Sequence, residues 1–298
     1  MMTDLWKGLK TAPLSAWFGM IVILSYILVS LFAPILAPHG ETEIVGPEYD
    51  LWFGEFFLGT DNLGRDMLSR LIYGARNTVG IALATTVIAF VLGGLMGLLA
   101  ATLGGWLDQF FSRIVDVLMS IPSLIFALLL LTIFSKVGAV DVGLFIISDG
   151  QMKMIVLILV IAVLDSTRVY RLTRAVAGNI VVMDYIEAAK LRGEGLWWLI
   201  RHEILPNSMA PLIAEFGLRF CFVFLFIAAL SFLGLGIQPP TADWGSMVRD
   251  NATLITFAAD DITLGLTPLL PAGAIALLTV AVNFVVDWML HRSSGLKE

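Results

Sequence analysis

The chain has 298 residues, 58% of them hydrophobic and 14% charged, with a formal net charge of −6 at pH 7. A water-soluble body of that size needs a polar skin that this composition does not supply, so lipid is the implied solvent. The acidic balance leaves no basic face for phosphates and excludes a nucleic-acid partner. The lone Cys221 excludes an intrachain disulfide.

Lys7 and Lys10 precede a stretch running without charge from Trp17 to Leu36. Twenty residues at ~1.5 Å rise cross the ~30 Å hydrocarbon core, which predicts a retained span and not a cleaved signal segment. Uncharged runs follow at Thr78–Leu103, Val117–Phe134, Phe220–Ile237 and Ile262–Val286. Met154–Leu164 is shorter and spans only if Asp165 and Arg168 lie at its aqueous end. The expectation is an all-α integral membrane protein, one domain over 1–298, with six spans at about 17–36, 78–103, 114–134, 153–170, 208–237 and 262–287.

Basic residues set the orientation. Lys7, Lys10, Arg113, Arg168, Arg171, Arg174, Lys190, Arg192, Arg201, Arg292 and Lys297 fall on one side. The other side holds six, Arg65, Arg70, Arg76, Lys136, Lys153 and Arg249, and most of the acids, including Glu41, Glu43, Glu48, Asp50, Glu55, Asp61 and Asp66. Both termini are expected in the cytoplasm, with 38–77 and 238–261 outside. A cytoplasmic loop covers about 171–207.

That loop carries helix signals. Asp184 followed by Glu187 has the spacing of an N-cap with its reciprocal third residue, and Gly193 is placed to end the helix. A second short helix, Leu196–Glu203, is expected to stop before Pro206. Ala188 and Ala189 offer a small-residue surface to a partner, and Glu187 a charge at its rim.

Arg168, Arg171 and Arg174 recur every three residues and read as a snorkelling stripe facing lipid phosphate. Glu215 and Arg219 share one helical face and can pair; they are the candidates for the translocation path. His39, His202 and His291 lack metal-ligand spacing, and no Gly-Lys dipeptide supplies a phosphate-binding loop. The expectation is a chain that is not an enzyme, with no metal and no cofactor of its own.

Glu187-Ala188-Ala189, then Gly193, then Leu205-Pro206 thirteen residues on, resembles the signature loop of bacterial ABC importer permeases. The string Leu58-Gly59-Thr60-Asp61-Asn62-Leu63-Gly64-Arg65-Asp66, with Ser69-Arg70 and Gly74-Ala75-Arg76, is similar to the outer segment of their dipeptide/oligopeptide group. So are Asp116 to Pro122, Ser231-Phe232-Leu233-Gly234-Leu235-Gly236, Gln238-Pro239-Pro240 and Trp244-Gly245. The chain departs from the pattern at Glu203, where the family has an apolar residue or His, and at Ile227, where relatives often carry Glu.

The resemblance implies the six-helix core of a type I importer permease in the bacterial inner membrane. It implies a second homologous permease, a periplasmic substrate-binding protein, and two ABC ATPase subunits that hold ATP and magnesium. Short peptides are the implied substrate, with nickel, glutathione and opine importers sharing the motifs. The rival reading, an ion-coupled carrier working alone, needs midplane relay groups and often internal repeats. The chain offers one charged pair, no obvious repeat, and a docking loop that a lone carrier does not need.

Overall fold

The computed structural model describes residues 12–134, 138, 140–141 and 146–294. Lys7, Lys10, Lys136 and Lys297 lie outside the described residues. The regular elements of the described residues are helices, apart from one antiparallel pairing of two-residue strands, β1 (Val140–Asp141) with β2 (Ile146–Ile147). Residues 37–66 and 233–243 are irregular, the former with isolated bridges Ile44–Arg65 and Thr60–Asp66.

Helix α1 (Leu14–Leu36) has no charged residue, and only 17% of its most apolar window is buried, as a lipid-facing span requires. Helix α2 (Met67–Leu103) is 37 residues long and contains a π-helical turn at Ala75–Val79. The expected run at 114–134 is two helices, α3 (Gly105–Ser120) and α4 (Ser123–Phe134), bent 90° from each other. Pro122 explains the break: it disfavours helical backbone at Ile121, which is extended at φ −91°, ψ 131°.

Helix α5 (Asp149–Val181) covers the expected 153–170 stretch and continues eleven residues beyond it, but it is not among the helices apolar enough to count as a span. The short α6 (Asp184–Leu191) follows, then α7 (Leu196–Phe232), again 37 residues. Past α8 (Trp244–Asn251) the chain closes with α9 (Ile262–Leu266) and α10 (Leu269–Ser294), which together make a span-length stretch Ile262–His291. Among the described residues four helices are long and apolar enough to cross a membrane, or five if the bent pair counts as one.

The described residues form two compact units. One comprises those of Met1–Leu83, Val137–Met154 and Phe224–Glu298; the other comprises those of Ala84–Lys136 and Ile155–Val223. In the first, α1 packs on α10 through small residues. Ala16, Gly19 and Ala33 are buried, the Phe18 ring meets Phe284 edge-on, and the Tyr26 hydroxyl donates to the Ala274 carbonyl at 2.9 Å. In the second, Tyr170, Val115 and Ala100 form one buried cluster. Another joins Leu98, Ala177 and Ile180 to α6 and the start of α7.

Candidate functional site

Helix α6 is clamped by its apolar face and closed at its C-terminus by backbone bonds. Ile186 and Ala189 are fully buried against Ala177, Ile180, Leu199, Ile200 and Ile204. Gly193 has φ +84°; its N–H donates to the Lys190 carbonyl at 2.9 Å, and the Glu194 N–H to the Ala189 carbonyl at 3.2 Å. These two bonds are a Schellman turn, which calls for a left-handed residue at that position. Gly193 therefore ends the helix as expected.

Two expectations are corrected here. The N-cap is Met183, without a side-chain bond, and Asp184 and Glu187 sit inside the first turn, where their charge complements the helix dipole. Ala189 turns inward and presents nothing to a partner, so the outward face is Glu187, Ala188, Lys190 and Leu191.

Pro206 does not stop a helix. The stretch Leu199–Ile204 is π-helical, with the Leu205 N–H donating to the Ile200 carbonyl. The widened turn takes up the proline ring, and side chains satisfy the carbonyls alongside it. Asn207 Nδ2 donates to the Glu203 carbonyl at 2.6 Å and Ser208 Oγ to that of Ile204 at 2.7 Å. In place of two short helices around Gly193 there is one short helix and one long one. Leu205, with Leu98, Phe90, Met209, Leu212 and Phe216, lines an apolar recess of about 470 Å³.

Further along α7, Glu215 and Arg219 pair as expected, with Oε1 and Nε 2.8 Å apart. Sequence reasoning missed the third member. Asp165 of α5 lies 3.5 Å from Arg219 Nη1, and its side chain is 2% exposed against 18% for Arg219. Asp165 therefore sits mid-helix and buried, not at an aqueous helix end. Neither Asp165 oxygen makes a hydrogen bond, so the contact to Arg219 is ionic alone.

The arginine stripe also differs from expectation, because each side chain finds a partner within the protein. Arg168 lies over the Phe222 ring at 4.2 Å, and Arg171 donates to Asp116 at 2.6 Å. Arg174 grips both oxygens of Asp108. Acids at the i, i+8 spacing of α3 were the available signal.

In the first unit the motif strings meet in one buried polar network. Asp61 bridges Arg65 at 2.7 Å and Arg70 at 3.2 Å, all three side chains buried. Gly64, at φ +73°, lies so close to the Gly46 carbonyl that a Cβ would collide with it. The Trp244 Nε1–H donates to the Leu71 carbonyl at 2.9 Å, and its ring meets Tyr26 and Phe224 edge-on.

Asp243 caps α8 through the Ser246 N–H at 2.8 Å and accepts from Thr78 Oγ1 at 3.0 Å. Burial pushes its carboxyl above the usual carboxylate range, against the opposing hydrogen bonds of Ser246, Ser231 and Thr78. Glu41 accepts from Asn77 Nδ2 at 2.7 Å and from the Ala242 N–H. An Asp three residues before Ser246 was the legible sign of the cap.

Span-length helices with lipid-facing apolar sides, a clamped short helix between two of them, and a buried ion cluster define a polytopic membrane transport component. The chain belongs to the family of binding-protein-dependent transport system inner membrane components, whose pattern matches residues 90–294. The N-terminal TM domain of oligopeptide transport permease C matches residues 1–51. It is thus an inner-membrane permease subunit of a binding-protein-dependent ABC importer, in a family of transport subunits without catalytic activity.

Among its relatives, the di/tripeptide transport system permease of Pseudomonas aeruginosa is 37% identical over 93% of this chain and 88% of its own length. The dipeptide transport system permease of Alkalihalophilus pseudofirmus is 33% identical over 95% and 86%. The glutathione transport system permease of Pectobacterium atrosepticum is 27% identical over 95% and 87%.

Proposed function

We propose that this chain is one of two homologous permeases in an importer of short peptides, with six spans, both termini cytoplasmic, and a single domain over residues 1–298. The helix Asp149–Val181 supplies the sixth span, its Asp165 neutralised by Arg219. A periplasmic binding protein delivers solute, and two ATPase subunits supply ATP and magnesium; the permease itself holds no cofactor. The peptide assignment rests on the names of the relatives at 37% and 33% identity. Glutathione, a tripeptide derivative, is the second reading, favoured by the relative at 27%.

The observation that carries the coupling role is the clamp on α6. A helix with a fully buried face and a closed C-terminus moves as a body with the two long helices that flank it. Glu187 and Ala188 on its outward face meet the ATPase; Ala189, Gly193, Leu205 and Pro206 hold its shape. Glu215 and Arg219, each partly exposed, border the path. The test is co-purification of the ATPases with detergent-solubilised permease: Glu187→Lys is expected to weaken docking while expression stays at the wild-type level. Unchanged docking would leave α6 a plain connector.

A further inference from the structure

Arg219 is shared unequally between two carboxylates on two helices. Glu215, four residues earlier on α7, faces its Nε at 2.8 Å; Asp165, on α5, faces Nη1 at 3.5 Å. The first contact survives any movement of α7 as a body, because both residues ride on it. The second crosses from α5 to α7, the two helices that run into and out of α6. About 18–23 Å away along α5 and about 23–30 Å away along α7, the same two helices are joined again, by the apolar cluster of Ala177, Ile180, Leu199, Ile200 and Ile204 that grips α6. One junction is apolar and buried; the other pairs an ionic contact, without a hydrogen bond on either Asp165 oxygen, with the Arg168 guanidinium lying over the Phe222 ring.

These two junctions differ in how they respond to displacement. An apolar cluster of interlocked side chains resists sliding throughout. The ionic contact has no directional hydrogen bond to break, and Arg219 keeps a partner in Glu215. The buried Asp165 carboxylate loses its own, however, so the contact holds at rest and parts only under a push. The Arg219 guanidinium also lies 5.5 Å from the Phe222 ring, which Arg168 covers from 4.2 Å. Asp165, Glu215, Arg168 and Arg219 sum to no net charge, so an Arg219 that leaves Asp165 does not leave the cluster unbalanced.

We propose that Asp165 is a positioning residue for transport: with Arg219 it forms a separable ionic latch between α5 and α7, which fixes the relation of the two helices at rest and opens when α6 is pushed. The proposal rests on the coupling role of α6. Its consequence is specific: without the latch, ATP hydrolysis continues but the helices no longer wait for it, so less solute moves per ATP.

The test uses the whole transporter in proteoliposomes with its binding protein, measuring solute taken up and ATP hydrolysed in the same vesicles. Asp165→Asn is expected to assemble with the ATPases and hydrolyse ATP, while solute per ATP falls about tenfold, within the usual range of coupling between sites. Asp165→Glu is expected to recover most of the ratio. Uptake and hydrolysis falling in proportion, or a wild-type ratio in Asp165→Asn, would overturn the latch.

Where Asp165→Asn does not assemble, the reversed pair Asp165→Arg/Arg219→Asp decides. Recovery of both assembly and ratio supports the latch, and recovery of assembly alone overturns it. Failure of both the reversed pair and Asp165→Glu to assemble makes the residue a folding requirement and also overturns it. Glu187→Lys, run alongside, separates the two readings: a failure of the coupling role shows there as intact ATPase docking, whatever Asp165 does.

Discussion

Substitution of Gly193 isolates backbone geometry from packing. The residue sits at φ +84°, and a Cβ added there meets nothing within 4 Å. A Cβ there therefore clashes with nothing, and the cost of placing one is that of the left-handed backbone. For Ala this is about 1–2 kcal/mol, for Asn less because its short polar side chain supports that conformation, and for β-branched Val the most. A penalty of 2 kcal/mol shifts a local equilibrium by up to ~30-fold.

Burial of Ile186 alone contributes about 1.5–3 kcal/mol, so α6 stays docked while its C-terminal turn opens. The expected order of damage is Asn, then Ala, then Val. The assay is solute-stimulated ATP hydrolysis of reconstituted complexes, set against the amount of permease in the membrane. Membrane insertion is expected to be equal across the series. Equal coupling in all three variants, or Asn as damaging as Val, would refute the argument from backbone geometry.

Cysteines placed at Glu48 and Ser294 in a Cys221→Ala background report orientation in intact cells: an impermeant thiol reagent is expected to label Glu48→Cys and spare Ser294→Cys. The cluster at Asp165 alters what removal of the neighbouring charges should do. Arg219→Ala leaves a buried carboxylate unpaired, at a cost of about 3–5 kcal/mol. Adding Glu215→Ala does not relieve it, so both variants should show the same loss of assembled complex. Asp243→Asn keeps a good N-cap but removes a titrating group. Because the folded-state carboxyl titrates above the ordinary 3.8, wild-type stability falls as pH rises from about 4 through that higher value. Thermal unfolding of the detergent-solubilised protein should lose this slope in the variant.

The apolar spans were legible because lipid imposes one long uncharged run per crossing, and Leu14–Leu36 and Ile262–Val286 show it plainly. Gly193 was legible because a helix end that needs left-handed backbone selects glycine. Pro206 misled: a proline reads as a stop, and nothing local announces that the preceding turn is π-helical. Asp165 misled in the opposite way, since a charge ending an apolar run reads as an interface residue unless its distant partner is known. The arginines of α5 shared that ambiguity, their acids standing more than fifty residues away in Asp108 and Asp116.

The continuous helix Leu196–Phe232 has a mechanical meaning. At 37 residues and ~1.5 Å each, it is about 55 Å of unbroken rod, while the hydrocarbon slab is only ~30 Å thick. The surplus has to emerge or be absorbed by tilt, and Arg201, His202 and Glu203 mark the end that leaves lipid. A hinge at Pro206 would have confined a push on the short helix to the membrane surface. On the coupling role proposed for α6, a helix continuous past Pro206 offers that push a path towards Arg219, with the π-helical turn at Leu199–Ile204 and the internal Pro211 as the places where it can bend.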